Sequence, residues 1–403
     1  MTTDRPLAWD AARAACHAAG RAAAPDPVEV PLAAADGHTL AAALTTLTAL
    51  PAFPTSSVDG YAARGAGPWR VVGRVLAGGV PDPLDEDTAV EIATGAMVPV
   101  GTQHIVRVED AGLDEQGRVS GSVRAVPDWR DIGDEAAAGE ELLPAGTPVT
   151  PAVVGLAAAC GYDTVAVRRP VRTAVVIFGD ELLTAGTPGQ GRVRDALGPQ
   201  LPGWLRRLGA PPVAGFDPRG PVEDTLEAHV DALKLALDHA DLVCTTGGTM
   251  HGPVDHLHAA LAELGARYVA NTVAVRPGFP MLMAEVDGGK FVAGLPGNPQ
   301  SAVVALMSLV VPLLHGLSGR ASPELTQRVE LAGPVAGRGD FTHLALVRLD
   351  PDGRAHPLSH SGSAMLRGVA RADGFAVVTP GTTGQPGDRV GFLPLPLTAG
   401  SRP

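Results

Sequence analysis

The sequence predicts a multidomain fold of class α/β plus β: a central doubly wound α/β domain, an inserted β-rich domain ahead of it, and a small C-terminal β domain. Three observations carry this. Strand-like and helix-like runs alternate from Val171 to Leu317, the pattern of a parallel sheet covered on both faces. Short β-like runs with turn residues between them recur from Trp69 to Val126, and again after Gly319. At 403 residues the chain also exceeds a single typical core.

Taken in order, residues 1–50 alternate Ala-rich helical stretches with a strand-like PVEVPLA, and with 125–168 they are expected to form one discontinuous N-terminal domain. Residues 51–124 form the inserted domain. It opens on a turn-rich loop, PAFPTSSVDGYAARG, and continues through WRVVGRVLAG, AVEIATGAMVP, HIVRVED and RVSGSVRAV. ELLPAGTPVT reads as a hairpin, and Thr150-Pro151 as a helix start with proline in the first turn. The α/β domain, residues 169–318, begins with strand VRTAVVI and the turn GDEL. It continues with helix PQLPGWLRRLG, short strand PPVAGF, and a helix placing Leu226, Val230, Leu233 and Leu237 on one face. Its last βα unit is FVAGL, the loop PGNPQ and a helix from Ser301. Residues 319–403 form a β-barrel-like C-terminal domain.

The formal charge of −12 argues against a general nucleic-acid binder, so an anionic ligand needs a local site. No export signal is visible, and the longest apolar run, Ala302–Leu314, is interrupted by Pro312 and too short to cross a bilayer; a cytoplasmic protein without membrane contact is expected. Three widely spaced cysteines suggest neither disulfides nor a zinc site. Only Lys234 and Lys290 among 31 basic residues are lysine, so arginine stands almost wherever positive charge is used.

The stretch DLVCTTGGTMHGPVD, residues 241–255, concentrates the chemistry. An apolar strand empties into Gly247-Gly248, where backbone lacking Cβ atoms lets a ligand approach, and a helix follows with Asp255 at the expected N-cap. Such a strand, glycine turn and helix start form an anion-binding corner, because free N–H groups and the helix dipole point at the ligand. An ordinary turn with a capping aspartate fits the same residues.

Five further-spread stretches, SSVDGYA, IATGAMVP, GDEL, TTGGTMHGPVD, and RPGFP with GLPGNPQSA, resemble the molybdopterin molybdenumtransferase family, which includes the C-terminal domain of gephyrin. The likeness extends through GRGDF and HSGSA, over nearly the whole chain. It implies a molybdopterin-binding-like α/β domain and an enzyme of molybdenum cofactor biosynthesis. Such an enzyme cleaves adenylylated molybdopterin with molybdate and Mg²⁺, releases AMP and leaves the metal on the dithiolene. It also implies a homodimer whose N-terminal domain links subunits, and molybdopterin adenylyltransferase as a partner.

Carried over by motif, the resemblance assigns catalytic roles to Asp59, Thr94, Glu181, Asp224 and Asp255, with Glu181 and Asp255 as metal ligands. It places substrate on Gly247, Gly248, Gly252, Arg276, Pro296, Gly297, Asn298, Ser301, His343 and Ser363. A phosphate-bearing substrate needs glycine turns and helix N-termini, and a hard ion needs carboxylates. Simpler readings stand beside these: Asp59 as a turn residue, Glu181 as a first-turn acid, Asp224 as an N-cap, Thr94 as part of a turn, and His251, His256 and His258 as supporting residues. The chain also departs from the family. Arg276 and Phe279 replace two lysines of KPGKP, Thr272 replaces another, Leu197 replaces an asparagine after Asp195, Gly133-Asp134-Glu135 replaces Gly-Glu-Asp, and His343 replaces an arginine. These losses of cation motivate the alternative of an impaired paralogue that binds or carries molybdopterin or its nucleotide.

Overall fold

The computed structural model describes residues 6–214, 219–250, 255–323, 325 and 327–397. The chain divides into two compact units: residues 29–36 with 42–167, and residues 1–28, 37–41 and 168–403.

In the first unit the described residues form a six-stranded sheet in the order Ala111–Leu113, Arg118–Gly121, Trp69–Val75, Thr88–Ile92, Gly60–Ala63, His104–Arg107. Each β-like run picked out in this part of the sequence contains one of these strands. Two apolar clusters pack on the sheet, one around Ala62, Val90, Ile92 and Ile105, the other around Trp69, Val106 and Val119. The hairpin expected in ELLPAGTPVT does not form; Glu141–Leu143 pairs instead with Leu44–Thr45. Helix Pro151–Ala159 starts as expected, with Thr150 as N-cap accepting from Val153 N–H.

The second unit holds the α/β domain: β1 (Thr173–Phe178), α2 (Leu197–Arg207), β2 (Arg219–Val222), α3 (Leu226–His239), β3 (Leu242–Thr246), α4 (Leu257–Glu263), β4 (Arg267–Asn271), β5 (Val273–Arg276), β6 (Leu282–Val286), β7 (Lys290–Leu295) and α5 (Pro299–Leu317); α1 (Trp9–Ala22) precedes them. Among the described residues the sheet order is β2-β1-β3-β7-β6-β4, with β2, β1, β3 and β7 parallel and β6 and β4 antiparallel. The central strands are buried along their whole length but for Lys290 at the start of β7, which is why they read as continuous apolar runs. Of the short strand expected in PPVAGF, Gly215 and Phe216 lie outside the described residues; Pro212 makes an isolated bridge to Thr173, and among the described residues the edge strand is β2.

Helix α5 is long and apolar enough to span a bilayer by length and composition, but 94% of its apolar window is buried inside the protein. It is a core helix. Its middle, Leu306–Val310, is a π-helical turn. Helix α1 bonds to it twice: Arg13 Nη1 donates to the Met307 carbonyl at 3.0 Å, and Trp9 Nε1 donates to the Ser308 hydroxyl at 2.8 Å.

The C-terminal sheet is built from β8 (Arg328–Glu330), β9 (Thr342–Leu349), β10 (Ala355–Pro357), β11 (Gly374–Val378) and β12 (Arg389–Pro394). It also takes in Leu7–Ala8 and β5, so this sheet is not confined to residues after 319. The β5–β9 pairing is parallel and sets Arg276 beside His343.

Candidate functional site

In the α/β domain the carboxyl ends of β1, β3 and β7 lie side by side, and the GDEL, glycine-turn and PGN loops leave from there. Gly247 has φ +85° and Gly248 φ +65°, conformations that glycine adopts without steric cost. Gly247 N–H donates to Leu295 O at 3.0 Å, stitching the glycine turn to the end of β7. A Cβ on Gly297 would lie 3.8 Å from Gly247 Cα, so the PGN loop runs directly against the glycine turn. A Cβ on Gly248 would meet Leu257 Cβ at 3.3 Å, which places the start of α4 against the same turn.

The acids fall around this corner. Asp224 is not the cap of α3; Thr225 is, accepting from Ala228 N–H at 3.2 Å. The Asp224 carboxylate instead accepts from Asp180 N–H at 3.2 Å, tying it to the GDEL loop that carries Glu181. Asp255 does not cap α4 either. The N-cap is His256 and no side-chain cap bond forms. Gly252 and His251 lie outside the described residues. Glu181 is exposed. Among the described residues no three His, Cys, Asp or Glu side chains gather into a metal cage. Mg²⁺ binds through one or two carboxylates together with substrate phosphates, so the donors at this corner fit such an ion.

Behind the turn sits a residue that sequence patterning passed over. His229 of α3 is fully buried, its ring stacked on Phe178 at 3.7 Å and meeting His256 edge-on at 5.5 Å. Its Nδ1–H donates to Thr225 O at 2.8 Å, leaving Nε2 without a hydrogen-bond partner among the described residues. Burial lowers its pKa, so the ring packs as a neutral aromatic. His258 bonds Tyr268 Oη at 2.7 Å and Thr249 O at 3.4 Å, supporting the loop from the other side.

A cavity of about 680 Å³ opens beside the corner. It brings together Arg276, Pro296, Asn298, Ser301, His343 and Ser363, six of the residues expected to touch substrate, and adds Phe279, Arg338 and Phe341. Asn298 is the N-cap of α5, but its side chain makes no cap bond. The first N–H groups of that helix are already used: Gln300 and Ser301 donate to Ser363 O at 2.9 and 3.3 Å. Ser363 therefore acts through its carbonyl as a cap, and the anion site here has to be built from side chains.

Its cations are arginines. His343 Nδ1–H donates to Ala336 O at 2.7 Å, and burial, with Arg338 nearby, lowers its pKa. The imidazole is neutral near pH 7 and does not replace the arginine of the family motif. Arg276 is exposed to the cavity, its guanidinium 5.1 Å from the Phe279 ring and 4.5 Å from the Phe341 ring. Arg338 lies in GRGDF, but neither it nor the aromatic pair was among the residues expected to touch substrate.

In the other unit, Asp59 and Thr94 form a pair of their own. Asp59 Oδ1 accepts from Thr94 N–H at 2.7 Å and from Thr94 Oγ1–H at 3.2 Å, and both residues are exposed. The bonds lock the SVDGY loop to the ATG turn, along with Gly95 N–H to Ser56 O at 2.8 Å.

Comparison with known proteins agrees with this architecture from end to end. The model of the MoeA N-terminal region (domain I and II) matches residues 7–161, that of a probable molybdopterin binding domain matches 174–316, and that of the MoeA C-terminal region (domain IV) matches 328–395. Molybdopterin molybdenumtransferase 2 of Mycobacterium tuberculosis is 34% identical over 374 residues, 87% of this chain and 90% of its own. The molybdopterin molybdenumtransferase of Haemophilus influenzae is 32% identical over 283 residues, 67% of this chain and 68% of its own. A crystal structure of the MoeA protein from Pyrococcus horikoshii superposes with a TM-score of 0.77 at 25% identity, covering 98% of this chain and 100% of that one. An α/β corner beside an arginine-lined pocket offers an anionic small molecule both backbone and side-chain donors. The chain belongs to the molybdopterin molybdenumtransferase family.

Proposed function

We propose that the protein transfers molybdenum from molybdate to adenylylated molybdopterin in molybdenum cofactor biosynthesis. The phosphoanhydride is cleaved, AMP leaves, and the metal centre passes to the dithiolene sulfurs. One observation carries the reading: the PGN loop faces both halves of the site. Gly297 lies against the glycine turn, while Pro296 and Asn298 line the cavity that Arg276 enters. A substrate whose phosphates sit at the corner thus has its remaining length beside the oxyanion pocket.

The backbone at Gly247 and Gly248 receives phosphate, with the start of α4 behind it. Glu181 and Asp255 would hold Mg²⁺, which when bound neutralises phosphate charge. Asp224 keeps the GDEL loop in place through Asp180 N–H. Arg276 and Arg338 bind molybdate. We further propose a homodimer in which Asp59 and Thr94 serve the corner of a second copy, and a molybdopterin adenylyltransferase that delivers the substrate. The carrier alternative is not favoured, because the curated relatives named above are transferases.

The test is AMP release by the purified protein from adenylylated molybdopterin with molybdate and Mg²⁺. Molybdate-dependent release is expected; none at millimolar molybdate would sink the assignment. For the dimer, mixing Asp59→Ala with Asp255→Ala protein is expected to restore part of the activity that each has lost. Light scattering showing a monomer would count against it.

A further inference from the structure

The family motif has lysine where this chain has Phe279, and the replacement looks at first like a lost anion ligand. The geometry gives it another role. Phe279 and Phe341 stand edge to face, centroids 5.7 Å apart at 76°, and the Arg276 guanidinium lies against both rings. The ring faces carry negative electrostatic potential, and a guanidinium stacks on them in a way a compact ammonium does not. Both rings are held by backbone. Val273 N–H donates to Phe279 O at 3.1 Å and Met281 N–H to Gly278 O at 3.1 Å, while Phe341 immediately precedes β9, whose Thr342 pairs with Val275.

Gly278 shows how tightly this loop is set. Its φ is +105°, and a Cβ there would meet Met281 Cε at 2.9 Å and Ser301 O at 3.3 Å. The loop therefore cannot swing Phe279 freely, and Arg276 beside it is exposed and lines the cavity. Arg338 is the second cation, and His343 is neutral.

We propose that Phe279 and Phe341 are positioning residues that clamp Arg276, so that one oriented guanidinium seats the tetrahedral oxyanion where relatives use a pair of lysines. The proposal rests on the reading that this pocket receives molybdate. A guanidinium fixed at its face offers two parallel N–H donors to two oxygens of the anion, which an ammonium point charge does not. Phe279 and Arg276 form one device under this proposal, and each is of use only with the other.

The test is a double-mutant cycle read by calorimetric titration with molybdate and by initial rates of AMP release. Phe279→Leu is expected to weaken molybdate binding about fivefold, the loss of one cation–π contact. It raises the molybdate KM to match, with kcat at saturating molybdate nearly kept. Phe279→Tyr, which keeps the ring face, stays within about twofold. Arg276→Lys weakens binding about tenfold or more, and Phe279→Leu adds nothing in that background. An equal effect of Phe279→Leu in both backgrounds, or none in either, overturns the clamp. So does a Phe279→Tyr loss as large as that of leucine, which covers the case of a leucine variant that fails to fold. Coupled molybdate binding by a protein that releases no AMP overturns the transfer reading and keeps the clamp. AMP release without coupling does the reverse, and a wild type that binds no molybdate overturns both.

Discussion

The corner and the pocket lie next to each other in one unit and are built by different means. The corner is made of backbone: two left-handed glycines, the end of β7 against Gly247, and the start of α4 against Gly248. Side chains enter it chiefly as acids. The pocket is made of side chains, because its nearest helix start is already capped by Ser363 O. A backbone site tolerates sequence drift as long as its glycines stay. A side-chain site can be rebuilt residue by residue, and three of the departures from the family motif, Arg276, Phe279 and His343, line this pocket. The difference also assigns separate kinetic signatures: damage to the corner should strike turnover, and damage to the pocket should strike molybdate affinity.

The largest effect tests that division directly. Glu181→Gln and Asp255→Asn are each expected to lower kcat by about a hundredfold or more, the scale of misplacing reacting groups, while molybdate binding by calorimetry stays near wild type. If either variant instead raised the molybdate KM and spared kcat, the two regions would not be separate devices. A smaller effect contrasts two glycines of the same neighbourhood. Gly278→Ala forces a side chain into the φ +105° conformation against Met281 and Val304, and should cost about 1–3 kcal/mol of stability in denaturant unfolding. Gly297→Ala has no such conformation and meets only Gly247 Cα at 3.8 Å, so it should change stability by under about 0.5 kcal/mol. Its Cβ nevertheless narrows the corner, and kcat/KM for the pterin substrate is expected to fall.

What the sequence disclosed divides along similar lines. β1, β3, β7 and α3 were legible because burial on both faces of a sheet, or on one face of a helix, leaves a continuous or periodic apolar record. β2 was missed because Arg219-Gly220-Pro221-Val222 carries no such record. It becomes a strand by pairing with β1, and Gly220 sits so close to the Ile177 carbonyl that a Cβ has no room. The long-range pairing of β5 with β9 was equally invisible to local pattern, yet it is what sets Arg276 beside His343. Motif spacing located Arg276, Asn298 and Ser301, and the structure gathers them in one cavity. The expected caps failed at Asp224 and Asp255 because a one-residue shift of a helix start hands the role to Thr225 or His256. His229 left no trace at all, since a histidine at an apolar helical position looks the same whether it faces a turn or solvent.

The smallest expected effect concerns His343, where the sequence left the charge of the pocket open. Burial comes first among the causes that lower its pKa, Arg338 adds to it, and the hydrogen bond with Ala336 O opposes them. A folded-state pKa below the ordinary 6.5 means that the unfolded chain binds the proton more readily in that window. Stability should therefore be fully present above about pH 6.5 and fall as pH drops through the lowered value, and His343→Gln should flatten that slope in unfolding titrations. Between pH 8 and 7 the imidazole stays neutral, so the molybdate KM should not respond to it. His343→Arg restores the cation of the family motif, and should lower the molybdate KM by about two- to fivefold at moderate salt, with the gain shrinking as ionic strength rises. A KM that already falls in the wild type on going from pH 8 to 7, and does so only while His343 is present, would show that the histidine carries charge in the pocket. The site would then hold molybdate with three cations, and the clamped arginine would lose its leading part.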